Sequence, residues 1–585
     1  MNYKTLAELY EELSSTTKRL EKTEILSRFL KHLSDKEVLY LLLGDIYPEY
    51  DERKIGISNQ IAIKAISKAT GTEIKKVVQE WKTIGDLGKV AEKLIKHKTQ
   101  STLHKQSLTT EKVLDNLKKL PELEGKGTVD KKLALITELL TSASPIEAKY
   151  LVRTLIGDLR IGIQESTIRE SISSAFFPDD KKFASEKIQK AIDESNDLAR
   201  VFELAKKEKL HELEKIHMEV GKPIKAMLAQ KASSIAEGFK AVGVPCAVEY
   251  KYDGFRLLIH KQDKEIKLFT RRLENVTKQF PEVVEYVLKY VKGNSFILDS
   301  EAVGFDSKTK KYKPFQNISQ RIRRKYHIEK IQKELPVEVN VFDILFYNGK
   351  SQLDEPFKKR TELIKKIIEN HPYKIIHSKQ IITSDEKKAQ EFYKKALKDN
   401  QEGIMIKNLE AKYQPGSRVG HMLKLKPEEK DMDLVITGAE HGTGRRSGWL
   451  SSFYISCRGE NKNEFLEIGK VSTGLKEKTK VFSAFVPEEN NRKEKKEEGV
   501  SFEELTEKLK PLITKEKEKR VEIKPKIIVS VTYQEIQKSP NYNSGWALRF
   551  PRFTALRPDK HPDEITTIKE VKKDFENQKR NWKYG

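Results

Sequence analysis

At 585 residues the chain has room for three or four domains, and a hydrophobic fraction of 37% suffices to build their cores. The net charge of +24, from 112 basic against 88 acidic side chains, favours a polyanionic partner, because a phosphate backbone releases counterions to a basic surface; a generally lysine-rich proteome is the competing source of such a surplus. No run approaches the roughly 18 apolar residues of a membrane span, no signal-peptide pattern opens the chain, and the two cysteines, Cys246 and Cys457, allow at most one bridge and no zinc spacing, which excludes a membrane or disulfide framework and suits a reducing, cytoplasmic setting.

Residues 1–218 read as an all-α domain. Leu6, Leu9, Tyr10 and Leu13 recur at helical spacing. Ser34-Asp-Lys-Glu37 and Ser144-Pro-Ile-Glu147 read as capping boxes, the second with Pro145 at the first helical position. Helices are predicted over Ile57–Ala69, Glu73–Trp81 and Leu133–Leu140, and a loop over Leu103–Thr110. Between Arg153 and Thr167, Gly157 and Gly162 break a helix–turn–helix-like segment flanked by Arg153 and Arg160, a pattern that suits backbone phosphate contacts or an ordinary helical hairpin with surface arginines.

Residues 219–427 shift to short strands alternating with helices, a mixed α/β domain of largely antiparallel character. Strands are predicted at 246–250, 255–260, 266–270, 296–305, 338–347 and 402–408, and helices at Glu282–Val291, Lys358–Glu369 and Glu386–Lys398. Residues 428–585 carry short strands with glycine turns (Leu434–Ala439, Ser451–Cys457, Phe465–Lys470, Ile527–Tyr533), which suggests a small barrel of OB type. The mixed-charge stretch Pro487–Arg520 reads as a solvated helical insertion. The whole is a multidomain α+β protein.

The chemistry centres on Glu249-Tyr-Lys251-Tyr-Asp253-Gly254-Phe-Arg256. A lysine at the end of a strand is a nucleophile only when its amine is neutral, which burial or nearby cations promote. Gly254 permits a sharp turn or a close approach. A lone Lys-x-Asp-Gly is far better read as a solvated surface lysine in a lysine-rich chain. What overturns that reading is the ordered series Lys251-Tyr-Asp-Gly254, Leu298-Asp-Ser-Glu301, Val341-Phe-Asp343, Glu402-Gly-Ile-Met-Ile-Lys407, Leu423-Lys-Leu-Lys426 and Arg557-Pro-Asp-Lys560. Together these segments resemble the covalent nucleotidyltransferases, most closely the ATP-dependent DNA ligases of archaeal type, over nearly the whole chain.

The resemblance implies a helical DNA-binding domain that grips a nicked duplex, an adenylation domain and an OB-fold domain, with ATP and Mg²⁺ required and the protein acting as a monomer in replication, repair and recombination on a prokaryotic chromosome. It implies Lys251 as the nucleophile, Glu249 at the adenine amino group, Phe342 stacked on the base and Glu301 at the ribose. Arg256, Arg271, Arg418, Lys424 and Lys426 match basic positions near the phosphates, and Lys407 is expected to face the same cavity. Glu402, together with Glu301 or Asp253, would supply oxygen ligands to Mg²⁺. Arg557, Asp559 and Lys560 would orient pyrophosphate, which requires a hinge near Pro427–Met432. Arg445 and Arg446, on a glycine-rich turn, are DNA-backbone candidates beside Arg153 and Arg160. A sliding clamp is a further candidate partner, through Gln100-Ser-Thr-Leu103 or Gln106-Ser-Leu108, although both lack paired aromatics.

Two other readings share part of this pattern. An RNA ligase or a capping guanylyltransferase has the same lysine motif but not the long helical region ahead of it or the segment Tyr533–Asn541. A non-catalytic basic scaffold would bind DNA without any covalent nucleotide adduct. An NAD-dependent ligase would bring zinc-type cysteines, and none are present.

Overall fold

The computed structural model describes residues 1–98, 107–322, 328–427, 430–442, 446, 448–461, 463–477, 500–517 and 520–583. The chain divides into two compact units, Met1–Gly71 with Ala91–Pro427 and Thr72–Val90 with Glu428–Gly585. Among the described residues no helix is long and apolar enough to cross a membrane.

The N-terminal region is helical throughout. In Tyr3–Ser15 the residues at helical spacing, Leu6, Leu9, Tyr10 and Leu13, are buried, and the Tyr10 ring lies 5.0 Å from that of Tyr150 on the helix Pro145–Leu155. Pro145 opens that helix, and the Glu147 carboxylate accepts from the Ser144 backbone amide at 2.7 Å, half of the predicted capping box. The other box does not form as expected. The short helix Val38–Leu42 starts from Glu37, and Asp35, not Ser34, accepts the Glu37 amide.

After Leu155 the chain turns through Gly157, Arg160 and Gly162, all with positive φ, before the helix Glu165–Phe176. The turn is pinned from below by the buried Lys22, whose Nζ donates to the carbonyls of Ile161 (2.5 Å) and Gly162 (3.2 Å). A Cβ at Gly162 would lie 2.6 Å from that Nζ.

The central region holds two sheets. The first contains β1 (Leu228–Lys231), β2 (Cys246–Lys251), β9 (Gln380–Thr383), β10 (Gly403–Asn408) and β11 (Arg418–Leu425), in the order β1-β11-β10-β2-β9. The second contains β3 (Phe255–Gln262), β4 (Glu265–Thr270), β5 (Ser295–Gly304), β6 (Val337–Tyr347) and β7 (Lys350–Ser351), in the order β4-β3-β5-β6-β7, with β8 (Ile375–His377) paired to β6. Among the described strands of this region only β1/β11 and β6/β8 pair in parallel. Side chains alternate across each strand. Cys246, Val248 and Tyr250 of β2, with Ile404 and Ile406 of β10, pack in one core with the helices Ile235–Val242 and Glu386–Lys398. The intervening residues of β2 and β10 therefore face the other sheet. The second sheet buries its far face, including Phe255, Leu257 and Ile259, against the helices Pro281–Tyr290 and Phe357–Ile367.

The C-terminal unit is strand-rich. β12 (Lys430–His441) pairs with β13 (Leu450–Arg458), with β16 (Arg520–Ile523) along its second half and with β17 (Ile528–Tyr533) along its first; β14 (Phe465–Val471), β15 (Ile513–Lys517) and the strand Arg552–Leu556 extend the sheet. The predicted solvated insertion needs correcting where it is described. Phe502–Leu509 is a helix whose Phe502, Leu505 and Leu509 are fully buried in the unit's core, because they fall on one apolar stripe.

Candidate active site

A cavity of about 450 Å³ opens between the two sheets. β1, β2, β10 and β11 contribute Ala229, Glu249, Lys251, Lys407, Arg418 and Lys424, and β3, β5 and β6 contribute Arg256, Glu301 and Phe342. Arg271, just beyond β4, completes the rim. The two-residue period of β2 places Glu249 and Lys251 on this face, and register pairs Lys251 with Gly403 of β10, which brings the adjacent Glu402 alongside. Lys251 Nζ stands 2.7 Å from the Glu402 carboxylate. Lys426 Nζ contacts the same oxygen, Oε2.

Gly254 has a tighter reason than a turn or a ligand. A Cβ there would sit 2.3 Å from the Ala302 carbonyl oxygen of β5, so glycine lets the chain just after Lys251 cross directly over the second sheet. Gly403 is equally constrained, since its Cβ would lie 2.1 Å from the Leu425 carbonyl oxygen.

Phe342 is half-buried and faces the cavity while its neighbours Val341 and Asp343 are buried. Its ring lies 4.9 Å from Lys407 Nζ and 5.4 Å from the Arg256 guanidinium. Glu249 is buried, 2.5 Å from Lys407 Nζ.

Models of three ligase regions match this sequence: the ligase N terminus at residues 2–173, the ATP dependent DNA ligase domain at 226–426 and the ATP dependent DNA ligase C terminal region at 446–560. A curated DNA ligase from Nanoarchaeum equitans is 44% identical over 581 residues, which is 99% of either chain. The chain belongs to the ATP-dependent DNA ligases. The DNA ligase of Thermococcus onnurineus is similar at 39% identity, again over 99% of both chains. The solved structure named Pmar-Lig_Pre shares the ligase's fold, with a TM-score of 0.57 at 18% identity over 94% of this chain and 99% of that one.

Several motif residues of the ligase are held by partners that sequence spacing does not reveal. Arg256 lines the cavity, yet its guanidinium forms a two-pronged pair with the fully buried Asp299 and also donates to the Met227 carbonyl at 2.7 Å. Its charge is thus balanced before any phosphate arrives. Asp343 of the Val-Phe-Asp motif is equally occupied, by a pair at 2.7 Å with the buried Arg360. Arg271, by contrast, is exposed. Arg418 donates to the Ala229 carbonyl at 3.1 Å. Lys424 lies on β11 and lines the cavity, but Lys426 stands one residue past the strand's end and turns to Glu402, so the pair does not converge by strand alternation alone.

Burial holds the Glu301 carboxyl high, at about 8, against the opposing pull of Lys251 and Arg256, and with the support of Glu402 and Asp299. Burial also raises Glu402, but Lys251 and Lys426 outweigh it and hold that carboxyl below its usual value. Lys424 is lowered by burial and by its neighbours Lys251, Lys426 and Arg418. The two carboxyls are thus pushed in opposite directions, because Glu402 pairs directly with both lysines while burial dominates at Glu301. A test follows from the sign. The unfolded Glu301 titrates near 4.5, so between there and about 8 the folded chain holds the extra proton, and stability falls as pH rises through that window. The expected result is a melting temperature that drops further from about pH 5 to about pH 9 in wild type than in Glu301→Gln, read by calorimetry; parallel curves would refute it.

Among the described residues no group of three or more acidic, histidine or cysteine side chains could form a metal cage. Glu301 and Glu402 nevertheless fit Mg²⁺, which takes one or two carboxylates and fills its sphere with waters and substrate phosphate. Glu402 Oε2 is buried between the Lys251 and Lys426 ammonium groups, so a metal ion held there would share that carboxylate with both lysines.

In the C-terminal unit the terminal motif is docked on a residue the sequence reading missed. Asp433 of β12 pairs with Arg557 Nη1 at 2.9 Å and with Lys560 Nζ at 2.7 Å, while Arg557 also pairs with Asp559 at 2.7 Å. Asp559 is held low, at about 2, chiefly by that hydrogen bond from Arg557. The DNA-contact candidates fare unevenly. Arg153 is 5% exposed, stacks 5.1 Å from the Tyr150 ring and reaches toward the Leu159 carbonyl, so it is turned inward by its place on the helix and does not present its charge to a backbone. Arg160 is partly exposed and pairs with Asp158 at 2.7 Å. Arg446 lies 4.0 Å over the Phe502 ring, which anchors it to its own unit. Arg445 and residues 99–106, with the clamp candidate Gln100–Leu103 and the Gln106 that starts the second, lie outside the described residues.

Proposed function

We propose that this ligase seals 5′-phosphate/3′-hydroxyl nicks in duplex DNA through a lysyl–AMP and then a DNA–adenylate. Lys251 Nζ attacks the α-phosphate of ATP, forming a P–N bond and expelling pyrophosphate. The nick's 5′-phosphate then attacks the same phosphorus, freeing the lysine and forming a pyrophosphate linkage to AMP. The 3′-hydroxyl attacks the 5′-phosphate, the phosphodiester forms and AMP leaves. Each step is phosphoryl transfer, in which the protein's contribution is positioning and charge neutralisation.

The observation that carries the reading is Lys251 Nζ in the cavity at 2.7 Å from Glu402, with Lys424, Arg271 and Arg418 around the same space. Glu402, paired with the lysine's ammonium at rest, would orient Nζ within the cavity. Phe342 offers a face for the base, Glu249 an acceptor for its amino group and Glu301 an acceptor for ribose hydroxyls. Glu301 and Glu402 would hold Mg²⁺, which when bound neutralises charge on the phosphates. Arg557, Asp559 and Lys560 would meet pyrophosphate in the first step, after leaving Asp433 and with motion at Pro427–Met432. The helical region 1–218 is assigned to duplex DNA, 219–427 to adenylation and 428–585 to the OB-fold role, for a monomer serving replication, repair and recombination, with a sliding clamp as an additional partner.

A pulse and chase tests the scheme. The protein is incubated with Mg²⁺ and ATP labelled at the α-phosphate, then given nicked duplex with a 5′-phosphate. Label should join the protein, pass to DNA and leave as AMP while the strand is sealed. Label consumed only by an RNA end would replace this reading with an RNA ligase or capping enzyme. Absence of any adduct, also after stripping bound AMP with pyrophosphate and with GTP in place of ATP, would leave a DNA-binding scaffold.

A further inference from the structure

Glu249 is clamped from both neighbouring strands. On one side Lys407 of β10 approaches Oε2 at 2.5 Å. On the other, register sets Gln380 of β9 directly opposite Glu249, and its Nε2 donates to Oε1 at 2.8 Å. Each carboxylate oxygen therefore already faces one donor.

The Gln380 amide has a single workable orientation. Its Oε1 accepts from Lys365 Nζ at 3.2 Å, on the helix Phe357–Ile367. If the amide were flipped, its NH₂ would face an ammonium and its oxygen would face a carboxylate, and both contacts would be repulsive. Lys365 thus fixes Gln380, and Gln380 with Lys407 fixes Glu249, whose carboxylate is 2% exposed and cannot be re-oriented by water. Gln380 itself does not line the cavity among its wall residues.

We propose that Gln380 is a positioning residue for base selectivity: by holding the Glu249 carboxylate in one rotamer it makes the cavity present an acceptor where the adenine amino group arrives and where guanine would bring an oxygen. The inference rests on Glu249 meeting the base. An acceptor fixed in place discriminates because the wrong base sets its own oxygen against the carboxylate, unpaired and repelled, whereas a carboxylate free to swing aside tolerates either base.

The test uses the full-length protein with Gln380→Leu and Glu249→Gln beside wild type. Single-turnover adenylation is followed against ATP and GTP concentration, with melting temperature measured in parallel. For Gln380→Leu the half-saturating ATP concentration should rise about 10-fold and the ATP-over-GTP preference fall by a similar factor. The rate at saturating ATP should stay within about twofold, since no contact to the reacting phosphate is lost. A Gln380→Leu protein that loses maximal rate and melting temperature together, with its ATP-over-GTP preference intact, overturns the proposal and makes the residue structural. If Glu249→Gln relaxes the preference and Gln380→Leu does not, Glu249 stands as the base contact and Gln380 falls. If Glu249→Gln leaves the preference unchanged, the assignment of Glu249 fails and the inference fails with it. Lys365→Met, which frees the amide to flip, should move the preference in the same direction as Gln380→Leu by a smaller factor; a movement the other way counts against the relay.

Discussion

Lys251→Ala will lose the protein–AMP adduct, by on the order of 10⁴-fold or more in adenylation rate, while a nick that already carries a 5′-AMP cap is still sealed, with a loss of no more than about 10²-fold. The separation follows from what the amine does. In the first step it is the attacking atom, and alanine offers nothing in its place. In the last step the attacking atom belongs to DNA, and the protein contributes charge and placement, for which Lys424, Arg271 and Arg418 remain around the cavity. Lys251→Arg sharpens the test. It keeps a cation beside Glu402, which Lys251 now contacts at 2.7 Å, but a guanidinium is a far weaker nucleophile at any accessible pH. It should therefore match alanine in the first step and exceed it in the last. An adduct of normal yield in either variant would mean that another side chain is the nucleophile.

The second large effect is on stability. Arg256 sits in the lysine motif, where a phosphate-binding role is the natural expectation, yet its guanidinium is tied to Asp299 on both prongs and to the Met227 carbonyl, and Tyr413 donates to the same aspartate at 2.8 Å. Asp299 is 0% exposed. Arg256→Leu would strand that carboxylate in the interior, at a cost of about 3–5 kcal/mol. For the large compact unit that holds Arg256 the melting temperature should fall by roughly 3–6 °C. Asp299→Asn should recover part of the loss in the double variant, because it removes the unpaired charge and keeps the shape. A variant with wild-type melting temperature and only weakened ATP binding would show that the guanidinium's main work is on the ligand. Arg360→Leu, which strands Asp343 in the same way but does not line the cavity, serves as the stability comparison.

Much of the site was legible because its motif residues sit on regular strands. The alternation in Cys246–Lys251 puts Glu249 and Lys251 on one face, and the strands at 255–262, 265–270, 295–304 and 337–347 all lie within a residue or two of their predicted bounds. The helix Glu386–Lys398 matches its prediction end to end. Local rules failed where a partner distant in sequence decided the outcome. Arg153 looks like a surface arginine until Tyr150 and the Leu159 carbonyl take it inward. Phe502, Leu505 and Leu509 lie in a stretch whose charge density reads as solvated, and only the core they fill identifies the stripe.

The alternating faces that bring Glu249 and Lys251 together were determined by the sequence itself, since they depend on neighbours a few residues away along one strand. The pairs that hold the motif residues, Asp299 with Arg256, Asp343 with Arg360, Glu249 with Lys407 and Gln380, and Asp433 with Arg557 and Lys560, were decided only by tertiary structure. Their members lie tens to more than a hundred residues apart in most cases, and no local propensity encodes such a pairing. It exists because sheet register sets buried charges side by side, and a buried charge must find its partner across the fold.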